Sequence, residues 1–83
     1  MNIQQLRTLS AFLEHGSFSE TGNQIGLSHS AVSVQMQQLE TELDVEIFDR
    51  HSRPPTITPV GAEVAKLALG ILDEIEKIRM IAA

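Results

Sequence analysis

At 83 residues, with a net charge of −5 and no cysteine, the chain has length for one small domain and can form neither a disulfide nor a thiolate metal site. Its 42% hydrophobic content suits a folded domain, and no apolar run approaches the ~20 residues that span a bilayer. The acidic balance, with a pI of about 5.0, runs against a nucleic-acid partner, because such domains are usually basic.

The opening stretch, MNIQQLRTL, lacks the charged-then-apolar layout of a signal peptide, so a soluble intracellular protein is expected. Asn2 followed three residues later by Gln5 predicts a helix start. Ile3, Leu6, Leu9, Phe12 and Leu13 then mark an apolar stripe at helical spacing. Gly16 is a natural left-handed stop. SFSE follows at once: Ser17 as N-cap and Glu20 as its reciprocal partner predict a capping box on a second, short helix. Phe18, Thr21, Gly22 and Ile25 share one face of it. Gly22 costs a helix about 1 kcal/mol relative to alanine, and a close approach to a neighbouring helix is the expected compensation. Gly26 ends this helix, and only Leu27 separates it from Ser28, the N-cap of a third.

In the third helix Val32, Met36, Leu39 and Leu43 follow i, i+4, i+7, i+11 spacing and are expected in the core. A second stripe lies about 160° around the helix: Ser30, Ser33, Val34, Gln37 and Thr41. It carries no charge. After Asp44 the pattern becomes β-leaning, and the segment VEIFDRHSRPPTIT is broken by Pro54 and Pro55. Ile47 and Phe48 are expected to pair with Thr56 and Ile57 around a basic turn holding Arg50, His51 and Arg53. Thr58 caps the next helix and Pro59 takes its first position, where the missing N–H does no harm. A helix of about 25 residues, about 37 Å long, is predicted from there to the end. Val64, Ala68, Ile71, Ile75, Ile78 and Ala82 alternate by four and three residues, which is a heptad seam. Leu67, Leu69 and Leu72 broaden it. The pattern stops without a cap, so the chain is expected to be part of a longer protein.

The fold class is therefore mainly α: a winged helix-turn-helix of three short helices and a two-stranded wing over residues 1–58, then a long dimerisation helix over 59–83. The physical sense of that order is that a major groove, about 12 Å wide, admits one α-helix. The helix ahead of it braces it and can aim N–H groups at a phosphate.

Five pieces of this sequence, GSFSE, LSHSAVSVQMQQLE, LDVEIFDR, Arg53 and ITPVG, stand in the order and spacing of one family. The chain resembles the N-terminal domain of the LysR-type bacterial transcriptional regulators. That resemblance implies a winged helix-turn-helix and a linker helix that pairs two subunits. It also implies an effector-binding domain, absent from these 83 residues, and a cytoplasmic location on the bacterial nucleoid. The sequence departs from the family pattern at Thr21-Gly22, usually paired alanines, and at His29 and Ser30. Val34 stands where arginine is common, Gln37 and Gln38 where basic residues are frequent, and Asp44 where glycine usually ends the helix.

The expected DNA contacts are Ser28, His29, Ser30, Ser33, Val34 and Gln37 on the third helix, with Arg50 and Arg53 in the wing. Serines can bond base edges or phosphates, Gln37 can pair with adenine, and Val34 can touch a thymine methyl. The expected dimer seam is Val64, Ala68, Ile71, Ile75 and Ile78. The partners are double-stranded DNA and a second copy, as a homodimer through the C-terminal helix or a higher oligomer such as a tetramer. No cofactor and no metal are expected. His15, His29 and His51 are scattered without ligand spacing, and a serine beside His29 is adjacency, not a triad. The bland reading of the outer stripe is a solvated helix face, and the alternative function is a winged helix used for protein–protein contact.

Overall fold

Helix α1 (Ile3–His15) opens on a full capping box. Gln5 N donates to Asn2 Oδ1 at 2.8 Å and Asn2 N donates to Gln5 Oε1 at 3.1 Å. Gly16, at φ 79°, closes it. Helix α2 (Phe18–Ile25) has half of its expected box: Ser17 Oγ accepts from Glu20 N at 3.1 Å, and Glu20 makes no return bond. Helix α3 (His29–Leu43) starts on Ser28, whose Oγ accepts from Ala31 N, and ends at Asp44 in the left-handed region, φ 55°. An aspartate tolerates that conformation better than a β-branched residue. Strands β1 (Phe48–Asp49) and β2 (Thr56–Ile57) pair antiparallel, Phe48 opposite Ile57 and Asp49 opposite Thr56. The ladder begins one residue later than expected because Ile47 turns inward and is fully buried, its carbonyl accepting from Thr58 N. Helix α4 (Pro59–Ala82) then runs to the C-terminal end. The computed structural model describes residues 1–83, with overall dimensions of 44 × 25 × 19 Å.

The core forms where α1, α2, α3, β1 and the first turns of α4 meet. Leu9, Val32, Met36, Leu39 and Ile47 are wholly buried there. Ile3 and Leu13, at the ends of the α1 stripe, remain about two-fifths exposed. Phe12, Phe18 and Phe48 pack edge to face, with ring centroids 4.7 to 5.5 Å apart, the geometry that aromatic quadrupoles favour.

Two glycines are set by what lies beside them. A Cβ on Gly61 would sit 2.3 Å from the Ile47 carbonyl oxygen, so α4 can cross the backbone just ahead of β1 this closely only without a side chain. A Cβ on Gly22 would meet the Leu27 carbonyl oxygen at 2.4 Å. The close approach expected at Gly22 is thus to the backbone of the turn before α3 and not to a neighbouring helix. Beside Gly22, Thr21 is fully buried and its hydroxyl has no hydrogen-bond partner.

Candidate nucleic-acid interface

The turn between α2 and α3 determines which way α3 points. Gly26 adopts φ 77° and Leu27 N donates to Gly22 O at 2.9 Å, so the chain turns from α2 into α3 within a few residues. Val32, Met36 and Leu39 are then drawn into the core with no exposure, and the opposite face of α3 must point outward. Ser28, His29, Ser30, Val34 and Gln37 are exposed on that side, Val34 by 51%, and Ser33 is half-buried at its edge. No charged residue lies between Ser28 and Gln38. The partial positive charge of the α3 N-terminus is therefore unopposed along this stretch.

The side-chain bonds of this face are few. Ser28 is occupied as the cap, while Ser30, Val34 and Gln37 make no side-chain bond within the chain. His29 is anchored: its Nδ1 lies 3.1 Å from Ser19 Oγ, and its ring meets Phe18 edge-on at 5.7 Å.

The wing treats its two arginines differently. Arg53 is exposed and makes no ion pair. Arg50, expected as a DNA contact, is turned inward: its Nη1 donates to Glu40 Oε1 at 2.5 Å, and its guanidinium lies 5.8 Å from the Phe18 ring and 5.7 Å from Phe48. The physical reason is Glu40. Only 12% of its side chain is exposed, its other oxygen accepts from Ile47 N at 2.8 Å and Phe48 N at 3.1 Å, and a buried carboxylate requires a counter-charge. Arg50 is thereby a strut between α3 and β1.

The local sequence pattern does not mark Glu40 as a functional residue. Its signal there is a position about 80° around α3 from Val32, on the shoulder of the apolar stripe, where a charge has to find a partner. Asp49 is a second such residue: its carboxylate accepts from His51 N and Ser52 Oγ and shapes the wing turn. Between the wing and the second half of α3 lies an open cleft lined by Gln37, Thr41, Asp44, Glu46, Arg50 and His51.

On α4 the expected seam divides. Ala68 is 1% exposed and Val64 packs against the core cluster, so both face their own domain. Gly61, Ala65 and Ala68 form the buried face of the helix. The open apolar face is rotated from it: Leu67 is 72% exposed, Ile71 43% and Ile78 65%, with Ile75 half-buried between them. No helix is long and apolar enough to cross a membrane.

An outward-facing helix behind a tight glycine turn, braced by a second helix and flanked by a two-stranded wing, defines a winged helix-turn-helix domain. Residues 3–62 match the model of the bacterial regulatory helix-turn-helix proteins, lysR family, and the chain belongs to that family. It is 37% identical over 79 residues to the HTH-type transcriptional regulator GltR of Bacillus subtilis (strain 168), a match covering 95% of this chain and 27% of that protein. It is 38% identical over 60 residues to a probable RuBisCO transcriptional regulator of Porphyra purpurea, covering 72% and 19%. The chain thus corresponds to about a fifth to a quarter of these relatives' length. Among solved structures it resembles BenM DBD in a complex with catB site 1 DNA, with a TM-score of 0.92 at 28% identity, covering 99% of this chain and 88% of that one. Full-length BenM matches with a TM-score of 0.90 at 28% identity, covering 99% and 27%.

Proposed function

We propose that the chain is the DNA-reading end of a bacterial LysR-type transcriptional regulator and that α3 enters the major groove of its operator. The observation that carries this reading is the sidedness of α3. Its inner face is sealed in the core, while Ser30, Val34 and Gln37 stand exposed and unbonded behind the tight turn. Hydroxyl, methyl and amide groups are what base edges in the groove accept and present. Family membership and the fold shared with BenM DBD, which is a DNA complex, support the same reading.

Ser28, His29, Ser30, Ser33, Val34 and Gln37 are the proposed contacts from α3, and Arg53 is the proposed phosphate contact from the wing. Two chains pair through the open face of α4, around Leu67, Ile71, Ile75 and Ile78. Paired α3 helices would then enter successive major grooves about one turn apart, at an interrupted palindrome. The chemistry proposed is recognition and not catalysis.

The observation favouring a protein partner instead is charge: residues 1–58 hold three arginines against seven carboxylates, a net −4. Selection from randomised duplex DNA, followed by mobility shift, separates the two. Enrichment of a palindrome with two half-sites is expected. No enriched sequence and no shift at low salt would give the case to the protein-binding module.

A further inference from the structure

His29 occupies the first turn of the outward helix, and its ring is held from two sides. Ser19, at the start of α2, lies 3.1 Å from Nδ1, and the ring edge packs on Phe18, itself 4% exposed. Ser19 Oγ makes no other hydrogen bond. Nε2 makes none within the chain, although the residue is exposed. An unanchored surface histidine would rotate through its rotamers. This one has its Nδ1 edge committed, which leaves Nε2 as the edge open to an approaching ligand.

A serine hydroxyl suits this anchoring because it works in either protonation state of the ring. It donates to a neutral ring whose hydrogen is on Nε2, and it accepts from Nδ1–H when the ring is protonated. In these two states Nε2 carries a hydrogen and is a donor, and an acceptor arriving at Nε2 selects them over the neutral tautomer with its hydrogen on Nδ1. The charged groups around the ring are sparse. Glu20 follows Ser19 on α2, Arg50 of the wing packs on the same Phe18, α1 presents only Phe12 to that aromatic cluster, and the first turn of α3 has no charge. No ion pair involves His29. Without a committed counter-ion, the ring has its strongest available anion in whatever binds the α3 face.

We infer that His29 is a specificity-determining residue whose Nε2–H bonds an acceptor on the duplex, and that Ser19 is the positioning residue that aims it. The inference rests on the DNA-reading function proposed above. The acceptor is an oxygen or nitrogen of a phosphate or of a guanine edge, since both offer lone pairs to a single donor. A ring that gains a proton gains a positive charge, so a bond strengthened by that charge couples DNA affinity to pH. Protonation of the bound ring adds attraction to the polyanion, and binding therefore tightens as pH falls.

The test is a fluorescence-anisotropy titration of the 83-residue chain on its selected duplex, at constant salt and at a series of pH values. Between about pH 8 and about pH 6 the wild type is expected to tighten by about five- to tenfold. His29→Gln keeps a hydrogen-bonding side chain without the charge, and is expected to bind with no such slope. Ser19→Ala is expected to lose at least half of the wild-type gain, and Ser19→Thr, which retains the hydroxyl, to restore it. Circular dichroism confirms that each variant is folded, as expected for an exposed side chain. Replacing guanine by 7-deazaguanine in the duplex locates the acceptor: loss of the pH-dependent gain assigns guanine N7, and its retention assigns another acceptor, with phosphate oxygens first among them. A pH slope undiminished in His29→Gln, tracing it to His15 or His51, would overturn the inference. So would a wild type that binds the duplex equally at every pH, or a Ser19→Ala indistinguishable from wild type. Failure of the wild type to bind any duplex at any pH would overturn the DNA-reading function as well, which separates the two conclusions.

Discussion

Three hydrogen-bond donors converge on the Glu40 carboxylate: the backbone N–H groups of Ile47 and Phe48, and the Arg50 guanidinium. Removing the carboxylate leaves two backbone donors and one half-buried cation without their acceptor. Glu40→Ala is therefore expected to lower unfolding free energy by about 2–4 kcal/mol, read by urea denaturation. Glu40→Gln keeps one oxygen for the two backbone donors but sets an amide NH2 in place of the oxygen that accepts from Arg50, so it is expected to lose about half as much. Equal losses for the two variants would show that the ion pair alone matters, and no loss would show that the staple contributes nothing. Thr21 offers the opposite experiment. Its hydroxyl is buried without a partner, and Thr21→Val replaces it by a methyl on the same β-branched frame. The buried hydroxyl's desolvation is then relieved, and stability is expected to rise by roughly 1 kcal/mol. A thermal midpoint below that of the wild type would mean that the hydroxyl is bonded in solution.

At the scale of elements, all four helices were legible in the residues because their signals are local. A cap and its first-turn partner are three residues apart, a left-handed stop is one residue, and a helical stripe repeats within two turns. The contacts that were not legible join residues distant along the chain: Glu40 with Arg50, Ser19 with His29, and Gly61 against Ile47. Nothing in the local pattern says which helix lies across from which. Helix α4 shows the same limit on a single element. It carries apolar residues on two faces, and periodicity alone does not separate Val64 and Ala68, which pack on their own domain, from the residues left open. What remains is an open stripe on a helix of 24 residues, about 36 Å long, which extends beyond what the three shorter helices cover. Its other surface is laced with solvated pairs, Lys77 with Asp73 and Glu74, and Arg79 with Glu76, which add little to stability. Hydrogen bonds from the Lys77 ammonium to Glu74 and Asp73 hold its pKa above the ordinary lysine value. The open stripe is a different matter, since burying each large aliphatic side chain contributes about 1.5–3 kcal/mol. The double variant Leu67→Glu, Ile78→Glu alters two side chains that are mostly exposed in the single chain. It is expected to leave the fold intact by circular dichroism and to convert a dimer to a monomer in sedimentation equilibrium. An unchanged mass would place the subunit contact elsewhere.

For the whole molecule the question is how a chain of net charge −5 approaches a polyanion. The answer lies in where the charge sits. Four of the carboxylates of the first 58 residues fall within Glu40–Glu46, at the far end of α3 and the approach to the wing, away from the uncharged stretch between Ser28 and Gln38. One of them, Glu40, is neutralised by Arg50, which also commits that arginine to an ion pair within the chain. Arg7, Arg53 and Lys66 are the side-chain cations outside any ion pair. Each subunit can thus neutralise about two or three phosphates, and the slope of log affinity against log salt is about −0.9 per phosphate. A dimer on its operator is expected to show a slope between about −4 and −5, with weak binding by a single subunit and affinity recovered by two domains on one site. Specificity would then rest on hydrogen bonds and shape more than on charge. Val34→Arg calibrates the measurement, because it sets one cation into the bare stripe of α3. It is expected to tighten binding to selected and random duplexes alike and to steepen the dimer slope by about two. A wild-type slope near −8 would mean that many more phosphates are contacted than these cations can reach. A Val34→Arg variant that gains nothing on random DNA would show that this face of α3 does not meet the duplex.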